Sequence, residues 1–445
     1  MSAVRNRPIA DVLQLRANPL SLFIEALREP AAMVRYQFGP YRAVLAKRAE
    51  HVEHVLVKNH DNYLKGQNYE PLKLTLGEGL VTSEGELWKR QRKLLQPAFH
   101  HRSLSMFADV MSRATEALVD EWEAEPTETD LHRAMMQLTF RIVCQTLFSA
   151  DVQTDGDFGD ALHDLLDWTN RRSETLIRPP LWMPTPGNVR FKRSRRRFDD
   201  LIYALIRERR ESGEPKGDLL DMLLAACDDG MPEHLVRDEL ITLALAGHET
   251  TANALSWTFY LLSKHPDVAR RVVEEVDAVL GDRQPTLEDL KDGLDYTGRV
   301  IEESMRLFPP VWGFERQAIA EDRLGNERVP PKTSVMIVPY SMHRDWRYWD
   351  NPEGFDPDRF LPEAKKDRPR FAYLPFGGGP RVCIGNAFAM MEAKIIVALV
   401  LRRIRLELEP GFVAELEPSI TLRPKNGIRV RIDRRFAKQA AASSR

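Results

Sequence analysis

The stretch PFGGGPRVCIG, Pro375 to Gly385, sets one cysteine behind three glycines and an arginine, just ahead of a helical pattern, NAFAMMEAKIIVALVLRRI. Gly377, Gly378 and Gly379 allow backbone conformations that other residues avoid, so the chain can pass close to a flat or bulky partner. Backbone N–H groups and the positive end of the following helix favour thiolate over thiol, and a thiolate is the form that ligates metal or attacks as a nucleophile. Alone, the loop also fits a buried structural cysteine at a tight turn. A phosphate cradle would need GK[ST] after the glycines, and none follows.

The rest of the chain narrows these readings. Its 445 residues can bury a substantial core, and 43% hydrophobic residues, 29% charged residues and a formal net charge of -2 are those of an ordinary globular protein, disfavouring disorder and global polyanion binding. Cys144, Cys227 and Cys383 are odd in number and lack zinc-like spacing, which argues against a disulfide framework or structural zinc and fits a reducing, cytoplasmic setting. The N-terminus, MSAVRNRPIADVLQLRANPLSLFIEALREP, has neither a signal-peptide core nor the roughly 20 apolar residues of a membrane span, so no membrane anchor is expected.

Periodicity predicts a mostly helical body. Strand pieces are expected between Pro40 and Leu56, around Tyr41, Val44 and Leu45, and helices over most of Leu104 to Leu307. PEHLVRDELITLALAGHETTANALSWTFYLLSKHP starts at Pro232 and stops before Pro266; with Pro232 in its first turn it would run ~50 Å as one helix. Its middle, Leu240 to Ala246, is apolar or small on nearly every side, as a central buried helix requires. TSVMIVPYSMHRD reads as a strand, and DNPEGFDPDRFLPE as a proline-punctuated meander.

Phe376, Gly379, Arg381, Cys383 and Gly385 match F-x-x-G-x-R-x-C-x-G, the haem-ligand signature of the cytochrome P450 family, and on that match the chain resembles this family. The resemblance implies a mainly α fold with small β-sheets and a long central helix over a b-type haem. It implies one domain over 1–445, with a β-containing part over about 1–75, a helical body over about 76–310, and a β and haem-loop region over about 311–445. It makes Cys383 the axial thiolate, packs Phe376 on the proximal face and pairs Arg381 with a haem propionate. A thiolate ligand favours O–O cleavage, and arginine suits a carboxylate because it stays charged and binds it bidentately.

Further constellations follow in the family's order. AGHETT places the small residues Ala246 and Gly247 before Glu249 and Thr250, which resemble the family's acid–alcohol pair for proton delivery, with Thr250 nearest oxygen and Glu249 behind it. His248 is left out of the catalytic set. In EESMR, Glu303 and Arg306 share a helix face; alone this describes many exposed ion pairs, but before LFPP and with PDRF downstream it resembles the structural triad Glu303, Arg306 and Arg359. Trp88 and Arg92 match W-x-x-x-R, and Arg316 in GFERQA lies where another propionate-binding arginine often stands.

The implied activity is insertion of one oxygen atom from O2, as in hydroxylation, into an apolar substrate such as a fatty acid, terpenoid or other lipid-like molecule. A peroxide-driven enzyme or isomerase, and a haem-thiolate sensor or binding protein, are the alternatives. By position, Leu72, Leu76, Leu243, Val311, Trp312 and Phe314 are expected to line the pocket, and LIRPPLWMPTP, Leu176 to Pro186, to form a lid whose Leu181, Trp182 and Met183 alternatively touch a membrane. No reductase domain follows the cysteine loop, so a separate ferredoxin or flavodoxin with its reductase is expected to supply electrons to a monomer. Lys89, Arg90, Lys93, Arg102, Arg402 and Arg403 would form its basic docking face, making electron transfer salt-sensitive. The basic run RFKRSRRRF has no accompanying nucleic-acid motif and reads as a solvated helix face, so no nucleic-acid partner is expected.

Overall fold

In the computed structural model, which describes residues 3–4, 8–38, 41–125, 128–150, 157–174 and 178–435, the segment after Pro232 forms one helix, Glu233–Lys264. At ~1.5 Å per residue it spans ~48 Å. Pro232 stands one place outside the helix instead of in its first turn, and Pro266 opens the next one. Burial continues round most of its circumference, including Leu240, Leu255, Trp257 and Phe259. Each large apolar side chain fully removed from water stabilises the fold by roughly 1.5–3 kcal/mol.

The helices that position the site are α1 (Glu70–Leu76), α2 (Gly85–Leu95), α3 (His101–Ala124), α4 (Leu131–Leu147), α5 (Asp157–Glu174), α6 (Pro186–Ser212), the central α7 (Glu233–Lys264), α8 (Pro266–Leu280), α9 (Asp295–Leu307) and α10 (Asn386–Arg403). α7 packs against α4, α9 and α10, and α10 also packs against α3. The α4 crossing is close: a Cβ at Gly247 would lie 3.0 Å from the Val143 side chain.

A six-stranded sheet runs in the order β1 (Ala3–Val4), β2 (Met33–Phe38), β3 (Tyr41–Ala46), β9 (Ser334–Ile337), β6 (Phe314–Ala318) and β4 (Tyr63–Lys65). β5 (Glu128–Asp130) joins β10 (Ile404–Leu408) and β13 (Arg429–Arg434), while β7 (Asp322–Leu324) pairs with β8 (Glu327–Val329) and β11 (Leu416–Pro418) with β12 (Leu422–Pro424). Sheet pairing therefore crosses the three expected parts, because β4 pairs with β6 and β5 with β13. Two strand expectations contract. Beyond Ala46 the chain turns into a short helix, Ala49–Glu53, and beyond Ile337 into another, Pro339–Met342, where Pro339 cannot donate to a sheet. Among the described residues no helix is long and apolar enough to cross a membrane.

Glu303, Arg306 and Arg359 meet beneath the cysteine loop's supporting meander. Arg306 binds Glu303 bidentately at 2.6 and 2.8 Å, and both are wholly buried. Arg306 also donates to the carbonyls of His343, Pro352 and Gly354, while Arg359 approaches Glu303 at 3.4 Å. The cluster thus ties α9 to the meander through backbone acceptors. Arg306→Ala strands a buried carboxylate and three carbonyls, and is expected to cost about 3–5 kcal/mol and leave little cofactor-loaded protein. Denaturant unfolding and cofactor absorbance per protein check this; near-normal loading would contradict it.

Candidate active site

Gly377 and Gly379 have φ of +71° and +68°, the left-handed region that favours glycine. A Cβ at Gly379 would overlap the Leu56 carbonyl, so this glycine seats the loop against its neighbour and does not itself line the cavity. The Cys383 N–H donates to the Phe376 carbonyl at 3.0 Å, closing the loop, and Gly385 leads into α10. The Cys383 side chain faces a cavity of about 320 Å³ that Phe376, Gly385 and Phe388 also line. Burial raises the thiol pKa, with the Gly385 N–H and Arg92 pulling the other way. The Gly385 N–H at the helix start and the Arg92 guanidinium thus favour the thiolate, as expected from sequence, against the effect of desolvation, and a bound metal cation would ionise the thiol outright.

α7 lines the same cavity through Leu243, Ala246, Gly247, Thr250, Thr251 and Ala254. Their spacing keeps them on one helical face. Thr250 faces the cavity, and its hydroxyl donates to the Ala246 carbonyl at 2.7 Å. Glu249 does not line the cavity: its carboxylate accepts from the Thr421 hydroxyl at 2.7 Å, on the side of the β11–β12 hairpin. Successive helix residues point ~100° apart, so the two cannot face one space at rest. His248 is buried edge-on to Phe140.

Val311 and Phe314 close one side, with Leu80, Val81, Val143 and Leu147 adding apolar surface. Leu72, Leu76 and Trp312 do not line the cavity. Leu76 is in the main core with Leu72 packed against it, while Trp312 packs near Phe23 and donates to the Ser419 carbonyl at 2.7 Å. On the lid, Trp182 is 75% exposed and Met183 is exposed too; residues 175–177 lie outside the described residues.

The cavity's edge is cationic. Arg92, Arg316 and Arg381 line it beside Trp88, and so does Lys65, which sequence reasoning missed. Arg381 stacks on the Trp88 ring at 3.9 Å, donates to the Ser83 carbonyl at 2.9 Å and pairs with Glu84; Arg92 donates to the Val382 carbonyl at 2.9 Å. The β4–β6 register sets Lys65 directly opposite Arg316. Burial, then the neighbouring Arg381, lowers Lys65 to about 6, and burial lowers Arg381 to about 10. Facing cations across a strand pair repel unless an anion lies between them, and Glu84 supplies one negative charge. A flat group with two carboxylates, presenting its face to Cys383 and its edge to these cations, fits the arrangement.

Comparison with known proteins agrees with this geometry. The family model Cytochrome P450 matches residues 8–430. Putative cytochrome P450 132 of Mycobacterium bovis is 37% identical, with 89% of each chain covered. Cyclooctatin synthase of Streptomyces melanosporofaciens is 36% identical over 93% of this chain and 92% of its own, and cyclooctat-9-en-7-ol 5-monooxygenase of the same organism is 36% identical over 91% and 88%. The solved cytochrome P450DA heme domain superposes with a TM-score of 0.89 at 26% identity, covering 98% of each chain. The chain belongs to the cytochrome P450 family and is a haem-dependent monooxygenase.

Proposed function

We propose that this enzyme holds haem b through Cys383 and inserts one atom of O2 into a largely apolar, lipid-like substrate. The observation that carries this reading is that Cys383 and Thr250 line one cavity whose surface is mainly apolar. When bound, haem supplies the iron at which O2 is reduced; one oxygen atom enters the product and the other leaves as water, consuming two electrons and two protons. Arg92, Arg316, Arg381 and Lys65 would hold the propionates, with Trp88 and Phe376 packing against the macrocycle. Ala246 and Gly247 leave room above it, while Leu243, Val311 and Phe314 orient an apolar molecule and exclude water.

A 36%-identical relative is named for action on cyclooctat-9-en-7-ol, which supports a terpenoid-like substrate as one candidate. Electrons would come from a ferredoxin or flavodoxin. The basic face proposed for it contracts: Lys89 is paired with Glu86, Arg402 with Glu116, and Arg403 with Asp120 and Glu123. Arg90 and Lys93 remain exposed, and the Arg102 side chain lies outside the described residues.

Thr250 separates this reading from a peroxide-driven enzyme. Its hydroxyl lines the cavity and, once released from the Ala246 carbonyl, would pass a proton to the reduced oxygen, so Thr250→Ala is expected to keep substrate binding but divert most reductant into peroxide or water. A loss of about 10²-fold in product formation is the scale for a removed proton-transfer group. Product formed per reductant consumed measures it, and unchanged coupling would sink the role.

Lys65 carries a second expectation. Above pH ~6 it is largely neutral before loading, whereas a propionate beside it favours the charged form. Glu84, Arg316, Arg381, Lys73 and Glu239 set the field around it. Loading should therefore give Lys65 a proton that offsets the one Cys383 loses on ligation, so the enzyme should release fewer protons than a variant without this amine. Calorimetry in buffers of different ionisation enthalpy reads the net exchange; Lys65→Met should release about one more proton per haem than the unaltered enzyme, and equal exchange by the two would contradict the assignment.

A further inference from the structure

The β11–β12 hairpin is pinned from several sides. The Leu422 N–H donates to the Pro310 carbonyl at 2.8 Å, Trp257 of α7 donates to the Leu422 carbonyl at 3.0 Å, and the Ile420 N–H donates to Asn170 of α5 at 3.0 Å. These contacts place buried Thr421 between two polar groups of α7. Asn253 donates to the Thr421 hydroxyl at 3.1 Å, and that hydroxyl donates onward to Glu249 at 2.7 Å. Its one proton is thereby aimed at the carboxylate.

The next residue but one reaches solvent. Arg423 binds Asp167 of α5 at 3.1 Å and Glu417 of β11 at 2.7 Å, and both carboxylates are partly exposed. Against the effect of burial, Glu417, Asp167 and Glu249 together raise the Arg423 pKa. Arg423 thus couples the surface carboxylates to the field around Glu249, on the side of α7 away from the cavity. Within the cavity, Thr250 still spends its proton on Ala246.

We propose that this hairpin is the enzyme's proton inlet, with Thr421 and Arg423 as positioning residues that seat Glu249 on its solvent-connected side for recharging. The inference rests on the monooxygenase reading above. Rotation about the Glu249 side chain then carries the carboxyl toward Thr250. The carboxyl O–H bond breaks as its proton passes to the Thr250 oxygen, while Thr250 gives its own proton to the oxygen being reduced. The resulting carboxylate returns to Thr421 and takes a proton from hydronium reaching the Arg423 edge, leaving neutral water. Electrons and O2 are those of the established reaction.

The test compares Thr421→Val, Thr421→Ser, Arg423→Gln and Glu249→Gln in the haem-loaded enzyme, reading product per reductant and the solvent deuterium isotope effect. Thr421→Val is expected to lose about tenfold in product formation, the scale of a hydrogen bond to a charged group, with a larger isotope effect. Thr421→Ser should restore both, and Arg423→Gln should raise the isotope effect. In the cofactor-free protein, the infrared carboxylate band lost in Glu249→Gln should shift in Thr421→Val and not in Thr421→Ser. An unshifted band together with unchanged isotope effects would overturn the proposal. If Thr421→Val does not load haem, Arg423→Gln decides it, and a wild-type isotope effect there is the contrary result. Impairment in Glu249→Gln alone overturns only the hairpin route, whereas unimpaired Glu249→Gln removes Glu249 from the proposed relay as well.

Discussion

A single sulfur atom must stay fixed in the lining of a mainly apolar cavity, and the rest of the structure depends on that constraint. Desolvation disfavours the Cys383 thiolate while the Gly385 N–H and Arg92 favour it, and a bound metal cation would ionise the thiol outright. The left-handed glycines let the loop close onto Leu56 and present the sulfur without a side chain in the way. The Glu303–Arg306 cluster acts from behind, by binding the carbonyls of the meander that leads into the loop.

Charge is distributed by the same logic. Cations gather at one edge of the cavity, where carboxylates of a flat ligand would end, and the acid of AGHETT lies on the far side of the helix from the substrate space. An ionised carboxylate in the apolar cavity would be strongly disfavoured, and the hairpin side offers Glu249 a hydroxyl partner and a nearby guanidinium. Substrate chemistry and proton supply thus occupy opposite faces of one helix.

What was legible in the sequence was set by local spacing. The cysteine loop, Trp88 with Arg92, Glu303 with Arg306, and the length of the central helix each depend on residues within a few turns of one another. Lys65 was not legible, because its place beside Arg316 arises from strand register across some 250 positions of chain. Glu249 was recognised as a residue but not in its orientation, which a hairpin near the C-terminus determines. Leu72, Leu76 and Trp312 have the apolar character of lining residues, and only packing distinguishes a wall of the cavity from the core behind it.

The central claim is that Cys383 is the thiolate ligand of haem. The most direct measurement is the absorption spectrum of the dithionite-reduced protein with CO, beside that of Cys383→Ser. The account predicts a strongly red-shifted Soret band that the variant lacks. A histidine-like spectrum from well-folded protein, or a red-shifted band that survives in Cys383→Ser, would contradict it.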